Sequence, residues 1–140
     1  VALLAQEALG RIGVRVSLDK TPAGQLGARL QKKEVPFYFE ASAAFLADPD
    51  YFFRIFYSGP TRWNFGSYAN PEMASLVERT RFETDRAAYA RDVQRMIELA
   101  KEDLPIILLW QPTLDVAMRR PVEGMKLQFH RQLDLRTLRG

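Results

Sequence analysis

The sequence predicts an α/β fold: one domain of 140 residues in which a mixed sheet is flanked by helices. Three observations predict it. Helical and strand-like periodicities alternate along the chain, beginning with a helix over 1–12 and a strand over 14–18. Two almost unbroken apolar runs, 35–40 and 106–110, have the length and character of strands covered on both faces, as in parallel or mixed sheets. Between these strands, helix starts are marked by an Asx or Thr cap followed by proline or an acidic residue.

In chain order, Leu3, Leu4, Ala8, Leu9 and Ile12 fall at spacings of three and four, which makes 1–12 an amphipathic helix ended by Gly13. Residues 14–18 then alternate apolar and polar, as a half-buried strand does. Thr21 and Pro22 open a second helix carrying Leu26 and Leu30 inward, closed at 32–34 and followed by the 35–40 strand. Asp48-Pro49-Asp50 starts a short helix holding Tyr51, Phe52, Phe53, Ile55 and Phe56, and Ser58-Gly59-Pro60 breaks it. Residues 61–69 form a loop with Trp63, Asn64 and Tyr68, and a long aromatic-rich loop in a compact domain points to function. Asn70-Pro71-Glu72 begins a helix to about Glu83 with Met73, Leu76, Val77 and Thr80 inward. Asp85 caps another to about Lys101, striped by Tyr89, Val93, Met96, Ile97 and Ala100 and stopped by Glu102-Asp103-Leu104-Pro105. Strands follow at 106–110, 114–118 and 125–129, the last alternating as at a sheet edge, and 131–140 is a polar, loosely held tail.

Composition narrows the function. With 47% hydrophobic and 26% charged residues the chain is that of a folded globular protein, not a disordered one. A net charge of +3 is spread over scattered basic residues, without the dense block that nucleic-acid binding uses. Absence of cysteine excludes a disulfide framework and thiolate metal sites within the chain. No apolar run approaches the roughly 20 residues of a membrane helix, and no signal-peptide pattern falls within these 140 residues, so any targeting signal is expected in an upstream segment. The opening Val1-Ala2-Leu3-Leu4-Ala5 lacks an initiator Met and runs straight into a helical pattern, as expected of a segment of a longer protein.

Catalytic chemistry finds no purchase. His130 is the single histidine, and no ligand spacing for a metal, no phosphate-cradling glycine loop and no nucleophile with a base is present. Asp48 and Asp50 read either as a carboxylate pair or as helix-capping acids, and the capping reading is preferred because acids there meet free N–H groups and a favourable dipole. The sequence therefore indicates neither an enzyme nor a cofactor or metal protein.

Five segments carry a resemblance. Residues 5–16 (Ala5-Gln6-Glu7-Ala8-Leu9-Gly10-Arg11-Ile12-Gly13-Val14-Arg15-Val16), Asp48-Pro49-Asp50-Tyr51-Phe52, Tyr68-Ala69-Asn70-Pro71-Glu72, Asp103-Leu104-Pro105-Ile106-Ile107-Leu108 and Val122-Glu123-Gly124-Met125 occur in an order and spacing that extend over more than 100 residues. Taken together they resemble the oligopeptide/dipeptide/nickel-binding family (family 5) of bacterial solute-binding proteins that serve ABC importers. The resemblance implies an incomplete periplasmic-binding-protein-like lobe (type II, cluster C), with 1–140 forming most of the C-terminal lobe of a two-lobed protein. It further implies a periplasmic or extracellular, membrane-associated location, and a small-molecule or peptide ligand enclosed between the lobes. Its other implied partners are ABC permease subunits and the first lobe. A lobe reused as a ligand-sensing or regulatory interaction domain is the alternative. The isolated segment, with unpaired strand edges, is open to dimerisation.

The ligand-facing candidates are Phe39, Ser42, Ala43, Phe45, Trp63 and Asn64. Peptide-binding members of the family commonly carry Trp-x-x-Asp, whose Asp meets the peptide's amino end. Here that pattern falls on Ser42-Ala43-Ala44-Phe45, and the Asp usual two residues into the Asn-Pro-Glu helix is Ala74. Phe45 and Trp63 instead favour apolar or stacking ligand surface. Core packing accounts equally well for both rings, and a turn role accounts equally well for Asn64.

Overall fold

The computed structural model describes residues 1–41, 46–59, 63–111, 113, 115–127 and 134–140. Among them are five α-helices, α1 (Ala2–Arg11), α2 (Ala23–Gln31), α3 (Pro49–Phe56), α4 (Pro71–Thr80) and α5 (Arg86–Asp103), and a 3-10 turn at Leu135–Thr137. Helices α3, α4 and α5 begin where capping chemistry places them. Asp48 accepts from the Asp50 amide at 2.9 Å, Asn70 from the Glu72 and Met73 amides, and Asp85 from the Ala87 and Ala88 amides. Each thereby satisfies orphan N–H groups at a helix start, with Pro49 and Pro71 at first-turn positions that need no donor. The second helix starts one residue later than its Thr-Pro signal suggests: Pro22 is the N-cap and makes no side-chain cap bond, while the Thr21 hydroxyl accepts from Arg29 at 2.7 Å.

The core is the packing of α3, α4 and α5 on one another. Phe53, Tyr57, Met73, Leu76, Val77, Met96 and Leu99 are buried in it, with Phe52, Phe56, Tyr68, Val93, Ile97, Ala100 and Ile106 packed around them. All four residues expected on the inner face of α4 are buried. On α5 the stripe is right in direction, although Leu99 is buried more deeply than Tyr89, Val93 or Ile97. Two forked ion pairs hold α4 to α5 from outside the core: Arg79 to Asp92, both contacts 2.5 Å, and Arg95 to Glu72 at 2.6 and 2.9 Å. Inside, Asp50 is buried and accepts from the Thr80 hydroxyl at 2.9 Å, while Asp48 accepts from the Tyr89 hydroxyl. The two acids are thus spent on capping and on tying α3 to its neighbours, in keeping with the preferred reading.

The expected mixed sheet does not form among the described residues. Strand-like pairing among them is limited to isolated bridge positions: Glu123 pairs antiparallel with Arg139, and Leu127 is a further bridge residue. Residues 14–18, 35–40 and 106–110 carry the expected apolar patterns without ladder partners. A strand's N–H and C=O groups need a neighbour about 4.8 Å away, and periodicity reports the environment a segment demands, not whether a partner strand is at hand. Their side chains stay correspondingly exposed: Ile107 at 61%, Leu108 at 76% and Trp110 at 62%. The helix stripe of α1 is likewise uncovered, with Leu3, Leu4 and Ile12 exposed and no residue buried.

Gly13 does end α1 as expected. At φ 85° its amide bonds the Gly10 carbonyl and Val14 bonds Leu9, a paired closure at the helix C-terminus. Gly124 is required more strictly, because at φ 77° a Cβ there would stand 2.1 Å from the Thr137 carbonyl oxygen.

Two outcomes follow from this packing. Met96→Ala, which empties a fully buried site, is expected to cost about 2–5 kcal/mol in urea-unfolding measurements. Asp92 and Glu72 are held below the usual carboxylate range, above all by hydrogen bonds from Arg79 and Arg95. Because the folded state binds these protons less tightly than the unfolded chain, the pairs stabilise above the unfolded value and that contribution is lost as pH falls through the folded one. Thermal melts should therefore lose stability below about pH 4, with a shallower dependence in Asp92→Asn.

Candidate functional site

Around Trp63 the chain makes a tight, internally bonded turn. Asn64 is only 4% exposed, and its side chain donates to the carbonyls of Gly59 at 3.0 Å and Tyr68 at 2.8 Å while accepting from the Tyr68 amide at 3.0 Å. Its backbone carbonyl accepts from the Ser67 amide at 3.1 Å, with Ser67 in the left-handed region at φ 55°. A short amide that bonds its own neighbourhood is the behaviour that makes Asn a turn former.

Rings line one side of this turn. Phe65, buried, meets Trp63 edge-on at 5.9 Å and Tyr38 edge-on at 6.0 Å. Trp63 is half-buried. The Tyr38 hydroxyl is pushed above its ordinary pKa, first by burial and then by the nearby Glu40 charge, so it remains a neutral donor at physiological pH. Tyr57 meets Tyr68 at 6.0 Å and continues the aromatic contacts into the core.

Two charged groups fix the turn from opposite ends. Lys33, just past α2, donates from Nζ to the carbonyls of Asn64 at 2.5 Å and Phe65 at 2.8 Å. At the far end the Tyr68 hydroxyl donates to Asp103 at 2.6 Å, and the Asn70 amide donates to the same oxygen at 2.8 Å. These two bonds hold the Asp103 carboxyl below its usual range, while burial and the Asp103 bond raise the Tyr68 hydroxyl well above its own. The Tyr-x-Asn-Pro-Glu and Asp-x-Pro segments, far apart in sequence, thus meet at one carboxylate.

The candidates divide as follows. Trp63 and Asn64 come together with Phe65 and Tyr38. Phe39 stands apart from that contact and stacks edge-on against Phe37 at 5.4 Å. Ser42, Ala43 and Phe45 lie outside the described residues. Sequence reasoning missed Lys33, Tyr38, Phe65 and the joining role of Asp103. Only Asp103 had a signal available, through its place in a quoted segment; Lys33 is one unremarkable cation at a helix end. Among the described residues no cluster of His, Cys, Asp or Glu is arranged to hold a metal ion, and the rings and amides present can stack and hydrogen-bond but contain no nucleophile paired with a base.

Two curated proteins are similar to this chain. One is a probable D,D-dipeptide-binding periplasmic protein of Escherichia coli (DdpA), 24% identical over 127 residues, covering 89% of this chain and 25% of that protein. The other is the oligopeptide-binding protein AppA of Bacillus subtilis, 28% identical over 141 residues, covering 96% of this chain and 25% of that protein. The chain therefore spans about a quarter of the length of each. No protein-family model and no solved structure matches it.

Replacing Asn64 by Ala would leave the Tyr68 amide and two carbonyls without their partner in a buried turn. We expect a loss of about 1–3 kcal/mol in urea unfolding, the cost of orphaned buried polar groups.

Proposed function

We propose that this chain, whose similarity to two peptide-binding proteins fits the oligopeptide/dipeptide/nickel-type family of ABC-transporter solute-binding proteins, is part of an extracytoplasmic ligand-capturing component of an importer. A periplasmic or extracellular location accords with the relatives, one of which is named periplasmic. The observation that carries the reading is the extent of the similarity, 96% of the chain against an oligopeptide-binding protein. The junction of two family-like segments at Asp103 supports it, since it gives those segments a shared structural reason to occur together.

In this reading the chain supplies one wall of a cleft. Ligand bridges that wall to a first lobe and stabilises a closed state, which the permease recognises. No catalytic step is involved. The ligand surface in this reading includes Trp63, the Asn64 turn and Phe39, together with Ser42, Ala43 and Phe45, which are assigned to it from the sequence resemblance alone. Its solute is peptide-like but is not anchored through an ammonium–carboxylate pair at the position of Phe45, because a phenyl ring cannot balance that charge. Apolar and aromatic side chains of the solute take the larger share of the contact.

The reading is tested in the full-length protein by calorimetry with peptides. Trp63→Ala and Phe45→Ala should each weaken binding about tenfold or more, as loss of an aromatic anchor does. Unchanged affinity in both would remove these residues from the site. Small-angle scattering should show a smaller radius of gyration with peptide than without it, and an identical radius at saturation would exclude closure.

A further inference from the structure

Lys33 occupies a costly position. It is the residue after the C-cap of α2 and lies in the left-handed region at φ 60°. Its amide bonds the Leu30 carbonyl at 3.0 Å and the Glu34 amide bonds Arg29 at 3.1 Å, the same closure that Gly13 provides for α1. Glycine adopts this backbone freely, whereas a residue with a Cβ is disfavoured there by about 1 kcal/mol. The helix end by itself is thus better served by glycine than by lysine.

What lysine adds is reach. From this fixed point Nζ contacts two successive carbonyls, Asn64 and Phe65, across 31 and 32 positions of sequence. Those carbonyls belong to the residues immediately after Trp63, and the Phe65 ring is in edge contact with the indole. The ammonium therefore grips the backbone from which Trp63 projects. The other end of the turn is held independently, through Asn64, Tyr68 and Asp103.

We propose that Lys33 is a positioning residue for the ligand-facing turn: its ammonium tethers the Asn64 and Phe65 carbonyls to the end of α2 and so sets how Trp63 is presented to a peptide ligand. This rests on the ligand-capture reading above. Lys33 acts through the turn and makes no contact with the ligand itself. The strained backbone separates its two possible roles. A residue that serves only the helix end is improved by glycine, whereas a tether is abolished by it.

The full-length protein, labelled with 5-fluorotryptophan, gives a direct readout by fluorine NMR, with the Trp63 resonance assigned as the one missing from Trp63→Phe. Lys33→Met and Lys33→Gly should both shift or broaden the Trp63 resonance and leave that of Trp110 in place, and Lys33→Arg should largely restore it. Lys33→Gly should unfold at a urea midpoint no lower than that of Lys33→Met. With the tripeptide Phe-Ala-Phe as the calorimetric probe, affinity should drop about tenfold in Lys33→Met, because the untethered turn has to be ordered at the moment of capture. An unmoved Trp63 resonance in both Met and Gly variants overturns the tether. Wild-type affinity in Lys33→Met, where the wild-type protein binds the probe, overturns its role in presentation. If a moved resonance accompanies no peptide binding by the wild-type protein, the tether stands and the peptide-capture reading fails.

Discussion

The carboxylate of Asp103 is the point on which the arrangement turns. It ends α5, accepts from the Tyr68 hydroxyl, and accepts from the side chain of Asn70, whose own oxygen caps α4. One charged group thereby fixes the end of one core helix, the start of another, and the exit of the turn that holds Trp63. Bonds of this kind are stronger than neutral ones and sharply directional, so the three elements share a register and not merely an apolar contact. The core supplies the larger stabilisation, and Tyr68 packs against it through Tyr57; the hydrogen bonds at Asp103 add direction to that apolar contact.

Cap chemistry was the most legible part of the sequence, for a physical reason. A helix start is decided within four residues, by an oxygen that reaches the next free amides, so Asp48, Asn70 and Asp85 state their role locally. The face of α4 was readable because the 3.6-residue period is also local. The sheet was not readable in the same sense. Runs 35–40 and 106–110 state only that apolar side chains want cover, and pairing depends on a second segment whose presence no window of residues reports. The same holds for α1, whose stripe is periodic and still uncovered.

The candidate site was legible in composition and opaque in construction. An aromatic-rich loop singled out Trp63 and Asn64, and both lie in one turn with Phe65. Asn64 had two open readings, and its side chain bonds three groups of its own turn, which orders the backbone beside Trp63. Lys33 and Tyr38 had no signal, because the contacts that matter are made over some 30 positions by residues of common type. Long-range tethers of this sort are invisible to spacing arguments, which see only neighbours along the chain.

In the ligand-capture reading proposed above, how firmly the turn is held bears on binding. An indole presented from a loose loop loses part of its contact energy to ordering, about 0.5–1.5 kcal/mol for each side chain immobilised at the moment of capture. Here the turn is held by contacts of its own chain: Asn64 stitches it, Phe65 seats it against Tyr38, and Lys33 and Asp103 hold it at both ends. A solute that meets Trp63 in this state spends little of its contact on fixing the protein. Selectivity then rests on the shape of the fixed surface, since a rigid aromatic face rewards solutes that match it and cannot remodel for those that do not. In that reading the shape of an aromatic surface carries more of the discrimination, because position 45 holds Phe and not the carboxylate that would meet an amino terminus there.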